Sequence, residues 1–267
     1  MFLFPSSATS FRGPFVAQAR VIKALILRDI RTRFFGHGLG YLIAIAWPLA
    51  HIVVLIGIWS FMGRATPYGS SLALWFATGL VPVMSFIYAS RWIMLSVVVN
   101  KSLMAFPAVK LVDILVARAI LESGAACCMA LALFGLFFAF GIDPFPASAV
   151  DAMKAVGAGI LLGIGFGFIN GVIAAIYQLW VTVYTLATIV LYILSGVLFV
   201  PDHMPEAARE ALSWNPLVHA VEWMRLAYYG AYSSRTFDPI YLISWGLVTI
   251  FIALLVARFG RRFVSNA

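Results

Sequence analysis

The chain has 267 residues, 63% of them hydrophobic and only 10% charged, and its mean hydropathy is +1.01. A soluble domain carries about 25% charged residues, and a core this apolar cannot be hidden in a globule of this size, so a soluble enzyme is excluded and the bilayer is the solvent. The net charge of +8 argues for nucleic acid only in a soluble protein, and here the basic residues sit at the flanks of apolar runs.

Residues 1–13 read as a flexible N-terminus. They have no basic n-region, and their apolar stretch is too short for a signal peptide. Over 14–35, Phe15, Ala19, Ile22, Ile26 and Ile30 recur at steps of three or four, while Arg20, Lys23, Arg28 and Arg31 fall toward the other face. This pattern predicts an amphipathic interfacial helix on the cytoplasmic surface, or one packed against protein. Spans are predicted over about 39–62 and 71–95. Arg91 must lie near the cytoplasmic end of the second or face the protein interior, because a charge at mid-bilayer costs at least ~2.5–3.5 kcal/mol. The segment 100–110 is too polar to continue a span, and Pro107 breaks it.

A third span is predicted over 112–140. From Ala155 to Val200 there is no Asp, Glu, Lys, Arg or His. One helix of that length would reach about 70 Å, against a hydrocarbon core of about 30 Å, so the run must cross twice. Spans over 155–176 and 180–200, turning at Tyr177-Gln178-Leu179-Trp180, satisfy this. Residues 201–238 are polar and rich in Pro and Trp, and the last span is predicted over 239–257. The expected fold is therefore an all-α polytopic membrane protein with six transmembrane helices and short periplasmic re-entrant helices before the last one. Six spans put both termini on one side, and the clustered Lys and Arg make that side cytoplasmic.

Motifs for catalysis are missing from the sequence. None of the four lysines follows a glycine, so there is no P-loop, and there is no His-Glu-x-x-His. Cys127 and Cys128 are adjacent in an apolar run and read as packed small hydrophobes. Asp202, Glu206 and Glu210 have helical spacing, which suits a solvated face with Arg209 better than an acid pair for glycan chemistry. Gly159, Gly163, Gly167 and Gly171 recur at every fourth residue, a ridge that lets helix backbones approach closely, within a subunit or between subunits; Gly157 and Gly165 add a second small surface. Arg118 and Glu122, four apart, can pair on one helix face within the membrane. Trp47, Trp59, Tyr177, Trp180, Tyr184 and Tyr192 either belong to the interfacial aromatic belt or face a pathway, where rings with polar tips suit sugars. Trp214, Asn215 and Pro216 open a short helix with His219, Glu222 and Arg225 at three-residue steps, too polar to span.

Three stretches carry a resemblance. They are Ala24 through Phe34 with Gly38-Leu39-Gly40-Tyr41; Asn100-Lys101-Ser102-Leu103 through Phe106-Pro107-Ala108-Val109-Lys110, then Ala117-Arg118 to Leu121-Glu122; and Trp214-Asn215-Pro216 to Glu222-Trp223-Met224-Arg225. In this order and spacing the chain resembles type-2 ABC transporter permeases of the capsule-polysaccharide and O-antigen export branch, over about 20–260. The resemblance implies a homodimer in the bacterial inner membrane, paired with a separate cytoplasmic ATPase that binds the ATP and Mg. It implies no cofactor in this chain and a lipid-linked polysaccharide as substrate. Periplasmic or outer-membrane export proteins are further partners it allows. Asn100, Lys101, Phe106, Pro107, Lys110, Arg28 and Arg31 would meet the ATPase, with 100–110 as coupling segment; 201–238 would form a periplasmic gate; the first and fifth spans would line the path. The N-terminal extension 1–13 departs from the family. Open alternatives are an exporter of lipid, teichoic acid or drug, a membrane-embedded glycan enzyme, and a passive channel.

Overall fold

The computed structural model describes the backbone of residues 12–32, 40–63 and 65–266, and the side chains of 15–32, 40–63 and 65–258. The expectations for 1–11, for Gly38-Leu39 and for the side chains of Arg261 and Arg262 lie outside the described residues. The chain forms α1 (Arg12–Thr32), α2 (Gly40–Phe61), α3 (Leu72–Val99), a short 3-10 helix (Lys101–Ala105), α4 (Leu111–Ala139), α5 (Ala149–Ile176), α6 (Trp180–Ile193), α7 (Glu206–Ser213), α8 (Pro216–Tyr228) and α9 (Pro239–Asn266). The architecture is all-α, with no strand among the described residues.

Among the described residues five helices are long and apolar enough to cross a membrane: α2, α3, α4, α5 and α9 as far as Arg258. The charge-free run expected to hold two spans divides into α5 and the shorter α6, whose 14 residues reach about 21 Å. Residues 194–199 continue as turns. Two local causes end α6. Gly196 takes φ +81, which glycine adopts without strain. Asn215 donates Nδ2 to the carbonyls of Leu194 at 3.0 Å and Leu191 at 3.3 Å, satisfying groups a longer helix would have used.

Capping sets the other boundaries. Ser71 accepts from the Leu74 amide at the start of α3, and Ser148 accepts from the Asp151 amide at the start of α5. Ser148 also ties α5 to α8 by donating its own amide to the Ala227 carbonyl at 2.9 Å. α4 ends in a Schellman motif: Ile142 N–H bonds Phe137 O, Gly141 N–H bonds Phe138 O, and Gly141 has φ +72.

α5 is the centre of the fold, flanked by α3 and α9. Its glycines set the separation. A Cβ at Gly159 would lie 2.6 Å from the Pro82 carbonyl oxygen, and one at Gly167 would lie 2.7 Å from Ile93 Cβ. Gly163 and Gly171 face Phe86 with Ala89, and Val97, at 3.0 Å. The ridge of every fourth residue therefore packs within the subunit, against α3. Gly165 faces Thr249 and Gly246 of α9, whereas a Cβ at Gly157 would meet nothing within 4 Å.

That contrast is testable. Gly159→Ala must push backbone against backbone and lowers stability by about 1–3 kcal/mol. Gly157→Ala only gains helix propensity and is neutral or stabilising by up to about 1 kcal/mol. Thermal unfolding of the two purified variants in detergent checks both, and equal midpoints would refute the ridge.

Candidate functional site

At one end of the bundle, α1, the 3-10 helix and α4 are clamped together. Leu25 of α1 is buried with Ile114 and Ala117 of α4, and Leu103, Met104 and Val109 pack on them. Arg28 donates to Asn100 Oδ1 at 2.7 Å, joining α1 to the end of α3. Arg118 Nε lies 2.9 Å from Glu122 Oε1, and its Nη1 lies 3.1 Å from Asp29 Oδ2, with side chains almost fully buried. The guanidinium also sits 5.5 Å from the centre of the Trp92 ring. The Lys110 amide donates to Asp113 Oδ2 at 2.8 Å and starts α4. Facing outward beside this knot are Arg31, Phe106 (60% exposed), Pro107 and Lys110, with Lys101 half-buried.

The opposite end holds a second buried cluster. Arg225 and Glu222 of α8 are wholly buried, 3.3 Å apart. Arg225 donates Nη1 to Phe199 O at 3.0 Å and Nη2 to Val197 O at 3.2 Å, and it lies 3.9 Å above the ring of Trp75 in α3. Tyr232 donates to the Glu222 carboxylate at 2.8 Å. Burial pushes the Glu222 carboxyl above the usual carboxylate range, and the Arg225 charge opposes that. His219 accepts from the Asp238 amide through Nδ1 at 2.9 Å and meets Ser213 O through Nε2 at 2.8 Å, which requires the proton on Nε2. Asn215 caps α8 by accepting from Leu217 N, Pro216 is its first residue, and Trp214 lies exposed.

The aromatics proposed for a pathway separate. Trp47 and Tyr177 are 66% and 68% exposed. Trp59 stacks on Phe76, Trp180 donates to Asn170 Oδ1 at 2.7 Å, and Tyr192 is half-buried. Tyr184 is buried against Met94 and Ala174 and faces no open surface. Arg91 is exposed, eight residues before the end of α3. Spacing gave no sign of Asp29 or Trp75, because each meets its partner across a long stretch of chain, nor of Tyr232, which reaches Glu222 from beyond the end of α8; the only hint was that Asp29 is the lone acid of a basic helix.

Residues 20–229 match the family model described as ABC-2 type transporter. The polysialic acid transport protein KpsM of Escherichia coli is 31% identical over 247 residues, 92% of this chain and 96% of that protein. The chain belongs to the ABC-2 type transporter family. The capsule polysaccharide export inner-membrane protein CtrC of Neisseria meningitidis serogroup B is 29% identical, over 95% of this chain and 96% of that protein. The capsule polysaccharide export inner-membrane protein BexB of Haemophilus influenzae is 25% identical, over 94% of each.

As an ABC-2 type chain this is a transport permease and not an enzyme; ATP hydrolysis belongs to a separate ATPase subunit. Among the described residues no group of three His, Cys, Asp or Glu is placed to hold a metal ion. The two buried arginine clusters join separate elements of the subunit, Arg118 tying α1 to α4 and Arg225 tying α8 to the 197–199 turn. Arg118→Ala removes the cation from both Asp29 and Glu122, and such a loss costs about 3–5 kcal/mol. The purified permease should then melt well below wild type, while Arg31→Ala on the exposed face leaves the midpoint within about 0.5 kcal/mol. A thermal shift assay compares them directly.

Proposed function

We propose that this chain is the membrane permease subunit of an ATP-driven exporter that carries a capsular or related lipid-linked polysaccharide across the inner membrane. The observation that carries this reading is the 31% identity with a polysialic acid transport protein over 92% of the chain. Two capsule polysaccharide export proteins align over nearly the same length.

The topology follows the charges. Arg20, Lys23, Arg28, Arg31, Lys101, Lys110 and Arg258 share one side, which supports cytoplasmic termini. In this reading α6 and the turns to 200 form the sixth crossing. α7 and α8 (within 201–238) form the periplasmic gate, with α8 dipping back into the outer leaflet. The amphipathic helix at 14–35 and the transmembrane domain at 36–262 complete the organisation. Two copies would face each other across α2 and α6, whose exposed apolar surfaces support a homodimer.

The ATPase would dock where α1 and 100–110 are clamped. Arg31, Phe106, Pro107 and Lys110 would supply that surface with the half-buried Arg28 and Lys101, while the buried Asn100 fixes Arg28 from behind. ATP-driven closure of the partner then moves a rigid body, because the Arg28–Asn100 and Arg118–Asp29 contacts bind the docking surface to α3 and α4. Two global states with different contacts to the ATPase are what such coupling requires.

Deletion of the gene should strip polysaccharide from the cell surface while it accumulates inside; separate assay of both pools tests export. Loss from both pools equally would favour a synthetic role. Within the complex, Lys110→Glu should lower substrate-stimulated ATP hydrolysis by about tenfold, within the usual range of coupling energies. An acid suits a helix N-terminus better than a lysine does, so the fold is retained. Unchanged hydrolysis in the reconstituted complex would remove 100–110 from the coupling role.

A further inference from the structure

α4 and α5 follow one another in the chain, joined by residues 140–148. Helices with so short a connection ordinarily pack side by side. Here they touch only lightly, and each packs more closely on α3. The gap between them is a cavity of about 610 Å³. α3 contributes Leu74, Ala77, Thr78 and Val81 to its wall, and α8 contributes Met224 and Tyr228. The sides are α4 from Cys127 to Phe137 and α5 from Ala149 to Ile160, each a stretch of about 15 Å.

The deepest residues, Cys127 and Ile160, lie near the midpoints of α4 and α5. At the other end Pro144, Phe145 and Pro146 line the cavity, and Phe145 meets Phe134 edge-on with ring centres 5.1 Å apart. The exposed Asp151–Lys154 pair at the start of α5 marks the level of the headgroups there. The cavity therefore runs from the membrane surface to mid-bilayer, the depth of one leaflet of a hydrocarbon core about 30 Å thick.

Depth and chemistry decide what fills it. A buried water needs about two to four polar partners. The Thr78 hydroxyl already donates to the Trp75 carbonyl at 2.7 Å, and apart from Cys127 and the Tyr228 hydroxyl the other lining side chains are hydrocarbon. A membrane-crossing helix of another protein needs the full thickness, about twice this depth, and would run into the 144–146 loop. A second copy, docked across α2 and α6 as proposed above, leaves the cavity uncovered, since neither helix borders it. Acyl chains of one leaflet have the right depth and the right chemistry. Leu131 and Met153, both lining and both exposed, leave the side open to them. Left empty, the walls would forfeit their dispersion contacts.

We propose that this cleft holds the acyl chains of a bilayer lipid, drawn from the leaflet at the end opposite the α1 clamp, as a packed part of the subunit between α4 and α5. Recognition is by hydrocarbon, so the site selects chains and not headgroup charge. Gly157 keeps the cleft open: it lines the cavity, and a Cβ built there would meet nothing within 4 Å. The same holds for any cargo, because it requires only that α3, α4 and α5 cross the bilayer.

The test uses the permease–ATPase complex, purified from cells that make no capsular or related polysaccharide and placed in nanodiscs. The lipid is a phosphatidylcholine with a photoactivatable diazirine at the end of one palmitoyl chain, and labelled peptides are mapped by mass spectrometry. In wild type the label should concentrate on the Cys127–Leu131 and Val156–Ile160 stretches, well above the exposed Phe251 and Ile252 of α9. Gly157→Leu should lower cavity labelling about tenfold, as displacing about two methylene groups would, with α9 labelling unchanged. Gly135→Leu is the matched control: Gly135 is exposed on α4, lies outside the lining, and has equally open space at its Cβ. It should label as wild type does. Phosphatidylglycerol with the same chain should give the same pattern.

Even labelling of the cavity and α9 in wild type overturns the proposal, by showing bulk lipid only, and this map decides even if a variant does not assemble. Equal cavity labelling in wild type and Gly157→Leu overturns it, and so does an equal loss in both glycine variants. Labelling that appears only when lipid-linked polysaccharide is supplied also overturns it, since the cleft would then serve the anchor of the cargo. Each of these results leaves the export reading intact, because that reading is decided by where the polysaccharide accumulates.

Discussion

The contact on which the rest of the molecule depends is the one between the backbones of α3 and α5. Lipid tails are as apolar as leucine, so no hydrophobic force draws helices together and close packing must hold them. Gly159, Gly163, Gly167 and Gly171 permit that approach on one side, and Gly165 permits it toward α9 on the other. α5 is thereby fixed between two neighbours. α2, by contrast, packs through a narrow stripe of Gly40, Ala44, Pro48, Ile52 and Ile56, and α6 buries only Tyr184 and Thr188. The subunit is a tight core with two loosely attached helices, and α2, α6 and the outer face of α9 carry much of its exposed apolar surface.

Charge follows the same division. Arg118 and Arg225 sit at opposite ends of the core, each buried and each held by contacts from several elements. Buried pairs add little net stability, but losing one partner is costly, so they hold α1 to α4 and α8 to the 197–199 turn in one register. Arg91, exposed eight residues before the end of α3, has no acidic partner among the described residues.

Composition alone made the all-helical, polytopic architecture legible, because a chain so poor in charge has only the bilayer to fold in. The charge-free run from Ala155 to Val200 marks the limit of that reasoning. Length demanded two crossings, but the end of α6 depends on Asn215, a residue of a different helix, and on the backbone of Gly196. The site shows the same boundary. Spacing can state that Arg118 and Glu122 share a helix face, yet it is silent on Asp29, 89 residues away. Spacing also placed His219, Glu222 and Arg225 on one helix without giving Trp75 or Tyr232. The expectation that Arg91 lies near the cytoplasmic end of its span or faces the protein interior rested on the cost of a charge at mid-bilayer; spacing could not tell that it stands exposed on the subunit, eight residues before the end of α3.

α3 connects these features. It begins at the Trp75 ring beneath Arg225 and ends at Asn100, which Arg28 holds. Its 28 residues span about 42 Å, and Pro82, a natural weak point in a helix, is pinned where its carbonyl meets Gly159. A packed helix of this kind does not compress, so a displacement at the ATPase-facing end of the proposed exporter arrives at the gate cluster as movement of the whole strut with α5. The parts free to yield are the narrow seams that hold α2 and α6.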